Sequence, residues 1–224
     1  MRDVLHAIRT KWVPARLSAL GVVPSPAWQA RLDSPAVAGA FMRAAAGFAA
    51  SVPMDADAIA RHAGPVLFEG AQGLLLDAGH RWFPHVTRSR TGLANVAVLA
   101  SEAGIGALDV TYCTRAYATR HGAGPFPREG GPRYPDATNV PNEWQGTLRF
   151  GLLDLDLLAE AMAADVAACP LPVSRRVAVT CLDQVGDGVR WCASGRERAG
   201  MEAMLGAVGA ALQSWGPTRD TLRG

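Results

Sequence analysis

A chain of 224 residues is long enough to bury a sizeable core, in one large domain or a partial two-lobed one. Hydrophobic residues make up 49% and charged residues 19%, which excludes a disordered chain. The net charge is only +2, Lys11 is the single lysine, and no run is dominated by Lys and Arg, so a nucleic-acid surface is excluded as well. Cys113, Cys169, Cys181 and Cys192 form no CxxC pair and lack metal-ligand spacing. Free thiols in a reducing compartment are the expectation. The opening residues have no apolar signal-peptide core, and no apolar run approaches the roughly 20 residues that cross a bilayer. A cytoplasmic protein with no membrane partner is expected.

Residues 1–63 read as a helical segment and residues 64–224 as an α/β region, the whole forming a single partial domain. Leu5, Ile8, Trp12, Leu17 and Leu20 recur at helical spacing until Pro24 and Pro26 close the stretch. Ala36 to Val52 is a second, alanine-rich helix with Phe41, Met42 and Phe48 on roughly one face. Pro65 then introduces Val66-Leu67-Phe68-Glu69-Gly70, a short apolar strand. Residues 91–106 form a small-residue helix, Val110 to Tyr117 a strand, and 119–143 a loop dense in Gly and Pro. Leu153 to Val166 is an amphipathic helix capped near Asp154, Val177 to Leu182 a buried strand, Met201 to Gln213 a helix and 214–219 a loop. Strands alternating with helices predict a mostly parallel sheet flanked by helices, with ligands at the carboxyl ends of the strands.

Three polar loops fall where such ligands bind. Gly70-Ala71-Gln72-Gly73 offers close backbone approach and an amide, although glycine after a strand is also ordinary turn chemistry. Thr119-Arg120-His121-Gly122-Ala123-Gly124-Pro125 sets a guanidinium beside glycines, a good arrangement for phosphate or carboxylate. His121 there is either a general acid or, more commonly for a loop histidine, structural. Asn142 to Gly151 gathers amide, hydroxyl and guanidinium groups before a helix, and helix capping is the plain alternative. No G-x-x-x-x-G-K-[ST], G-x-S-x-G or HExxH occurs, so these residues hold no self-contained phosphoryl-transfer site.

Taken in order, these loops resemble the adenylosuccinate synthetase family. The resemblance runs from Leu67 to the end of the chain through Leu67-Phe68-Glu69-Gly70-Ala71-Gln72-Gly73, Pro84-x-Val86-Thr87-x-Ser89, Tyr117-x-Thr119-Arg120-x-Gly122-Ala123-Gly124-Pro125-Phe126-Pro127 and Asn142-Glu143. It continues through Gly151-x-Leu153-Asp154, Thr180-x-Leu182-Asp183 and Ser214-x-Gly216-Pro217-x-Arg219. That family joins IMP to aspartate with GTP and magnesium through a 6-phosphoryl-IMP intermediate, within AMP biosynthesis. The resemblance implies a P-loop NTPase-like fold without its N-terminal part. It implies Gln72, Thr87 and Arg120 at the purine monophosphate, and Thr147 and Arg149 at aspartate. Asp183, Ser214 and Gly216 would lie at the guanine nucleotide.

Some positions depart from the family pattern. The aspartate loop is short and keeps one arginine, Arg149; Cys181 stands where a lysine stacks on guanine, and Thr218 where an aspartate stands. The nucleotide is therefore GTP or ATP, and the acceptor IMP or dGMP as in compact phage and archaeal types. The family's Gly-Asp-Glu-Gly-Lys-Gly-Lys loop, catalytic aspartate, following histidine and magnesium ligand have no counterpart here. No residue of this chain is assigned a catalytic or metal-binding role, and the chain alone is expected to be inactive. The expected partners are an N-terminal half in trans or a second copy in a homodimer. The alternative is a non-catalytic purine-nucleotide-binding or interaction protein derived from the synthetase.

Overall fold

A computed structural model describes every residue except Met54, Ala56 and Ala137. The chain divides into two compact units, Met1–Ala58 and Ile59–Gly224.

The first unit is helical. α1 (Arg2–Ala7) runs through a π-helical stretch, Ile8–Trp12, into α2 (Val13–Ala19). Pro14 explains the wide turn: it has no N–H to give Thr10 four residues back, so the ladder there loses a bond and loosens. Pro24 lies past the end of α2, whereas Pro26 opens α3 (Pro26–Asp33) instead of closing a helix; Ser25 caps it by accepting from Trp28 N–H. α4 (Pro35–Ser51) begins the same way, with Ser34 accepting from Ala36 N–H. Among the described residues of this unit none is fully buried, and Trp12, Trp28, Phe41 and Phe48 are exposed.

The second unit is built on a four-stranded sheet. α5 (Ala94–Glu102) precedes β1 (Leu108–Arg115), and a two-stranded antiparallel ribbon of β2 (Ala118–Arg120) and β3 (Arg149–Gly151) follows. β4 (Leu153–Asp154) leads into α6 (Leu155–Ala167), where Asp154 accepts from the N–H groups of Asp156 and Leu157. Next come β5 (Val173–Thr180), the hairpin β6 (Arg190–Ala193) and β7 (Arg196–Ala199), α7 (Met201–Val208), β8 (Ala210–Ser214) and β9 (Leu222–Arg223). The sheet order is β1-β5-β8-β9; β5 runs parallel to β1 and β8, and β9 is antiparallel to β8. β4, β6 and β7 form a small separate sheet. Val177, Ala178 and Val179 are consecutive and buried, as a strand covered on both faces must be. Around them pack Leu153, Met162, Leu182, Trp191 and Met204. The mixed α/β architecture, rich in parallel strands and flanked by helices, is the one the sequence pattern predicts.

Two expected elements are replaced. Val66 to Gly70 forms no strand: residues 63–72 make no main-chain hydrogen bond with another described residue, and Leu67 is 93% exposed. A strand exists only by pairing, and among the described residues no strand pairs with this segment. The expected helix from Met201 to Gln213 ends at Val208, because Gly209 adopts a left-handed conformation (φ 64°) and its N–H bonds back to Leu205 and Gly206. Ala210 to Ser214 then extends along β5 as β8.

One carboxylate ties α6 to the rest. Asp165 Oδ1 accepts from Leu93 N–H at 2.9 Å and Oδ2 from the Tyr112 hydroxyl at 2.8 Å, joining the start of α5 and β1 to one helix. Gly92 leaves the space: a Cβ there would stand 2.0 Å from Asp165 Oδ1. Asp165→Ala strands two polar groups and should lower the unfolding free energy by about 1–3 kcal/mol in urea denaturation; an unchanged midpoint would show that the staple contributes nothing.

Candidate functional site

The β2–β3 ribbon places Arg120 directly opposite Arg149. Two like charges at facing positions repel, and the structure resolves this by turning the guanidiniums onto different oxygens. Arg120 is only 7% exposed. Its Nε and Nη2 donate to Ala123 O at 3.2 and 2.8 Å, and Nη2 also donates to His85 O at 2.7 Å, with the group 5.5 Å from the Trp82 ring. Burial, then the charge of Arg149, lowers its pKa from the ordinary arginine value. Arg149 Nη1 donates to Gly122 O at 3.1 Å and Gly124 O at 3.0 Å, while Nε and Nη2 engage the Glu129 carboxylate. Its guanidinium sits 5.3 Å from the Phe126 ring.

Three successive carbonyls, of Gly122, Ala123 and Gly124, thus face the two arginines. The N–H groups of residues 121–124 donate to no acceptor among the described residues. Gly124 (φ 113°) must be glycine here, since a Cβ would lie 2.4 Å from His85 Cβ and 2.5 Å from Arg120 Nη2. His121 Nε2 lies 3.4 Å from Gly146 O, which brings the loop before Thr147 alongside.

Of the residues singled out from sequence, Arg120 and Arg149 therefore grip one loop, and the segments that carry Thr87 and Thr147 reach it through His85 and Gly146. Thr87 N–H bonds Leu76 O at 2.9 Å, and its hydroxyl lies 3.5 Å from that of Ser89. Gln72 is exposed in a left-handed conformation (φ 71°), on the turn that leads into the 3-10 turn Leu74–Leu76. The side chains of Gln72, Thr147 and Asp183 form no hydrogen bond within the described protein and are solvent-exposed. Asp77 braces this region: burial favours its neutral form, but donations from Gly79 and Thr91 N–H and the nearby Arg90 carry its pKa below the usual value.

Asp183, Ser214 and Gly216 form a second group, at the carboxyl ends of parallel β5 and β8. Cys181, left-handed at φ 61°, turns the chain out of β5 into the 3-10 turn Leu182–Gln184. Ser214 Oγ is committed to Gly216 O at 3.0 Å, so its hydroxyl shapes the turn. Tyr117 lies between the groups. Its hydroxyl meets Gln184 Oε1 at 2.5 Å, and its ring stacks on Tyr134 at 4.1 Å and lies 5.9 Å from Phe150, the neighbour of Arg149. Burial, then the Cys181 thiol, pushes the Tyr117 phenol up to about 12. A small cleft of about 270 Å³ opens beside this ring, against Tyr134, Leu152 and Val189; none of the eight singled-out residues lines it.

Glu129 and Tyr117 carry much of this geometry without having been assigned a role from sequence. Tyr117 was visible only as a motif letter, and Glu129 reaches Arg149 from 20 residues away with no local signal. Among the described residues no three His, Cys, Asp or Glu side chains form a metal-binding group, and no helix is long and apolar enough to cross a membrane.

The family model described as adenylosuccinate synthetase matches residues 40–187, about two thirds of the sequence. The chain belongs to the adenylosuccinate synthetase family. Gln72, Thr87, Arg120, Thr147, Arg149 and Asp183 fall inside the matched span, and Ser214 and Gly216 outside it. An adenylosuccinate synthetase of Xylella fastidiosa (strain M12) is 40% identical over 112 residues, covering 44% of this chain and 24% of that protein. That of Alteromonas mediterranea is 49% identical over 68 residues, 29% of this chain and 15% of its own length. The chain thus spans about a quarter or less of these relatives. A fully ligated adenylosuccinate synthetase from Plasmodium falciparum aligns with a TM-score of 0.48 at 17% identity, covering 69% of this chain and 48% of that one.

Arg120→Lys keeps the charge but removes the planar fork that reaches two carbonyls at once. Amide hydrogen exchange at His85 and Thr87, whose N–H groups bond Trp82 O and Leu76 O, should then accelerate at least severalfold, and unchanged protection would separate Arg120 from the anchoring of that segment. All three tyrosines have raised pKa values, with burial the first cause in each. A phenol raised on folding contributes stability that is complete below its unfolded pKa of about 10 and is lost as pH climbs through the folded value. Tyrosinate absorbance at 295 nm should therefore lag behind that of the urea-unfolded chain between about pH 10 and 12; coincident curves would contradict the burial.

Proposed function

We propose that this chain provides the acceptor and nucleotide pocket of an adenylosuccinate synthetase-type ligase of purine biosynthesis in the cytoplasm. Such a ligase joins IMP, or a related purine monophosphate such as dGMP, to L-aspartate at the expense of GTP or ATP. The observation that carries this reading is the clasp of Arg120 and Arg149 on one glycine-rich loop, whose amides find no acceptor among the described residues. Free amides next to guanidiniums suit a phosphate or a carboxylate.

In this reading Gln72 and Thr87 address the purine monophosphate, with Arg120 holding the loop that borders it. Thr147 and Arg149 address the carboxylates of aspartate. Asp183 accepts from the N–H edge of the nucleotide base, while Ser214 and Gly216 shape the turn that closes over it. In the family magnesium offsets phosphate charge, but no described cluster here fits a metal, and this chain is not assigned the ion. Nor do these 224 residues contain a Gly-x-x-x-x-Gly-Lys loop to cradle a triphosphate. Phosphoryl transfer depends on such electrostatic positioning, so turnover is assigned to this chain only together with a phosphate-cradling segment from outside these 224 residues. The same two observations favour a second reading, a nucleotide-binding protein without turnover.

Titration calorimetry with IMP and aspartate distinguishes these readings. IMP binding should weaken in Gln72→Ala, and aspartate binding should weaken about 10- to 100-fold in Arg149→Ala, the loss of one charged two-pronged contact. Adding the phosphate-binding segment of a family synthetase should then yield succinylated nucleotide by mass spectrometry. Binding without product supports the second reading, and no IMP binding sinks both.

A further inference from the structure

The Arg149 guanidinium is already occupied by a carboxylate. Nε donates to Glu129 Oε1 at 2.8 Å and Nη2 donates to Oε2, the parallel fork-on-fork pairing in which guanidinium and carboxylate match best. Glu129 is held for this contact by its main chain. Its N–H donates to Phe126 O at 3.2 Å, Gly130 N–H to Phe150 O at 2.9 Å, and Leu152 N–H to Arg128 O at 3.0 Å, so residues 128–130 lie antiparallel along the free edge of β3. Gly151 permits the approach, because a Cβ there would stand 2.6 Å from Arg128 O. Arg128, left-handed at φ 62°, is fixed in turn by Asp154 at 3.2 Å. The pair nevertheless remains open to solvent, with side-chain exposures of 26% for Arg149 and 46% for Glu129. A carboxylate from outside can reach it.

We infer that Glu129 fills the carboxylate seat of Arg149 when no ligand is present, and that a dicarboxylic amino acid binds by displacing it. This rests on the reading of Arg149 as a residue for the substrate carboxylate. The incoming carboxylate takes over the donations of Nε and Nη2, and Glu129 turns into water; no covalent bond changes. Nη1 keeps its bonds to Gly122 and Gly124, so the loop holds its shape through the exchange. The exchange costs affinity by the ratio of filled to empty seats, about 2- to 5-fold for an accessible ion pair. It also adds discrimination, because only a charged fork-shaped acceptor can replace Glu129, and an amide cannot.

The test titrates L-aspartate into the full chain saturated with IMP, comparing wild type with Glu129→Gln. The variant should bind aspartate about 2- to 5-fold more tightly, and in the wild type the Arg149 Nε–H resonance should shift on adding aspartate but not on adding asparaginamide, which has no carboxylate. Equal or weaker binding in Glu129→Gln overturns the inference, since it would make Glu129 a support that positions Arg149. Where Glu129→Gln folds poorly by circular dichroism, Glu129→Asp keeps the charge and shortens the reach, and the same gain is expected. IMP binding with no aspartate binding in any variant also overturns the inference while leaving the purine pocket standing; loss of IMP binding throughout would instead remove the functional reading beneath it.

Discussion

Two arginines facing each other across a three-residue ribbon impose the constraint on which the rest of this site depends. Left side by side, their charges would push β2 and β3 apart. The loop after β2 removes the problem by turning three carbonyl oxygens toward them, and the segment after Phe126 adds the Glu129 carboxylate. Guanidinium suits this task because its five donors lie in one rigid plane and can hold several acceptors at once. The loop has its shape because its carbonyls are held, while its amides find no partner among the described residues. The His85 carbonyl, taken by Arg120, brings the segment that carries Thr87 into the same arrangement.

The parallel sheet supplies the second requirement, a fixed edge. β5 and β8 end side by side, and the chain leaves them through tight turns at Cys181 and Gly216 that expose Asp183 and commit Ser214. Tyr117 couples this edge to the ribbon through its bond to Gln184 and its contact with Phe150. Arg115, the last residue of β1, pairs with Asp136 at 3.3 Å and so ties the long Gly- and Pro-rich segment to the sheet. Asp136 is in turn held well below the usual carboxylate range, first by the Thr138 hydroxyl, against the opposing effect of burial, and then by the N–H groups of Asn139 and Thr138.

What the sequence made legible was local. Asp154 announced α6 because a cap acts within three residues, and the apolar run at Val177 announced β5 because burial on both faces leaves no polar alternation. The glycine-rich loops were recognisable as loops. Elements that depend on distant partners were not readable. Val66 to Phe68 has a strand's composition but nothing beside it to pair with, and Ala210 to Ser214 has no strand signature yet pairs with β5 because Gly209 releases it. The hairpin Arg190–Ala199 went unread because its pattern is masked by charged residues on its exposed strand. In the site, the identities of Arg120 and Arg149 were evident. Their commitments were not, since the bonds run to main-chain oxygens and to a carboxylate 20 residues away, which composition does not encode.

Because the clasp grips backbone oxygens, it is indifferent to most of the side chains it encloses. Ala123 offers Arg120 only its carbonyl, an atom every amino acid has, so this position is free to drift toward different neighbours and tastes of ligand. Arg120, Gly124 and Arg149 have no such freedom, since each holds its place by shape. A pocket made in this way can change what it recognises through the letters between its arginines without redrawing the frame that holds them.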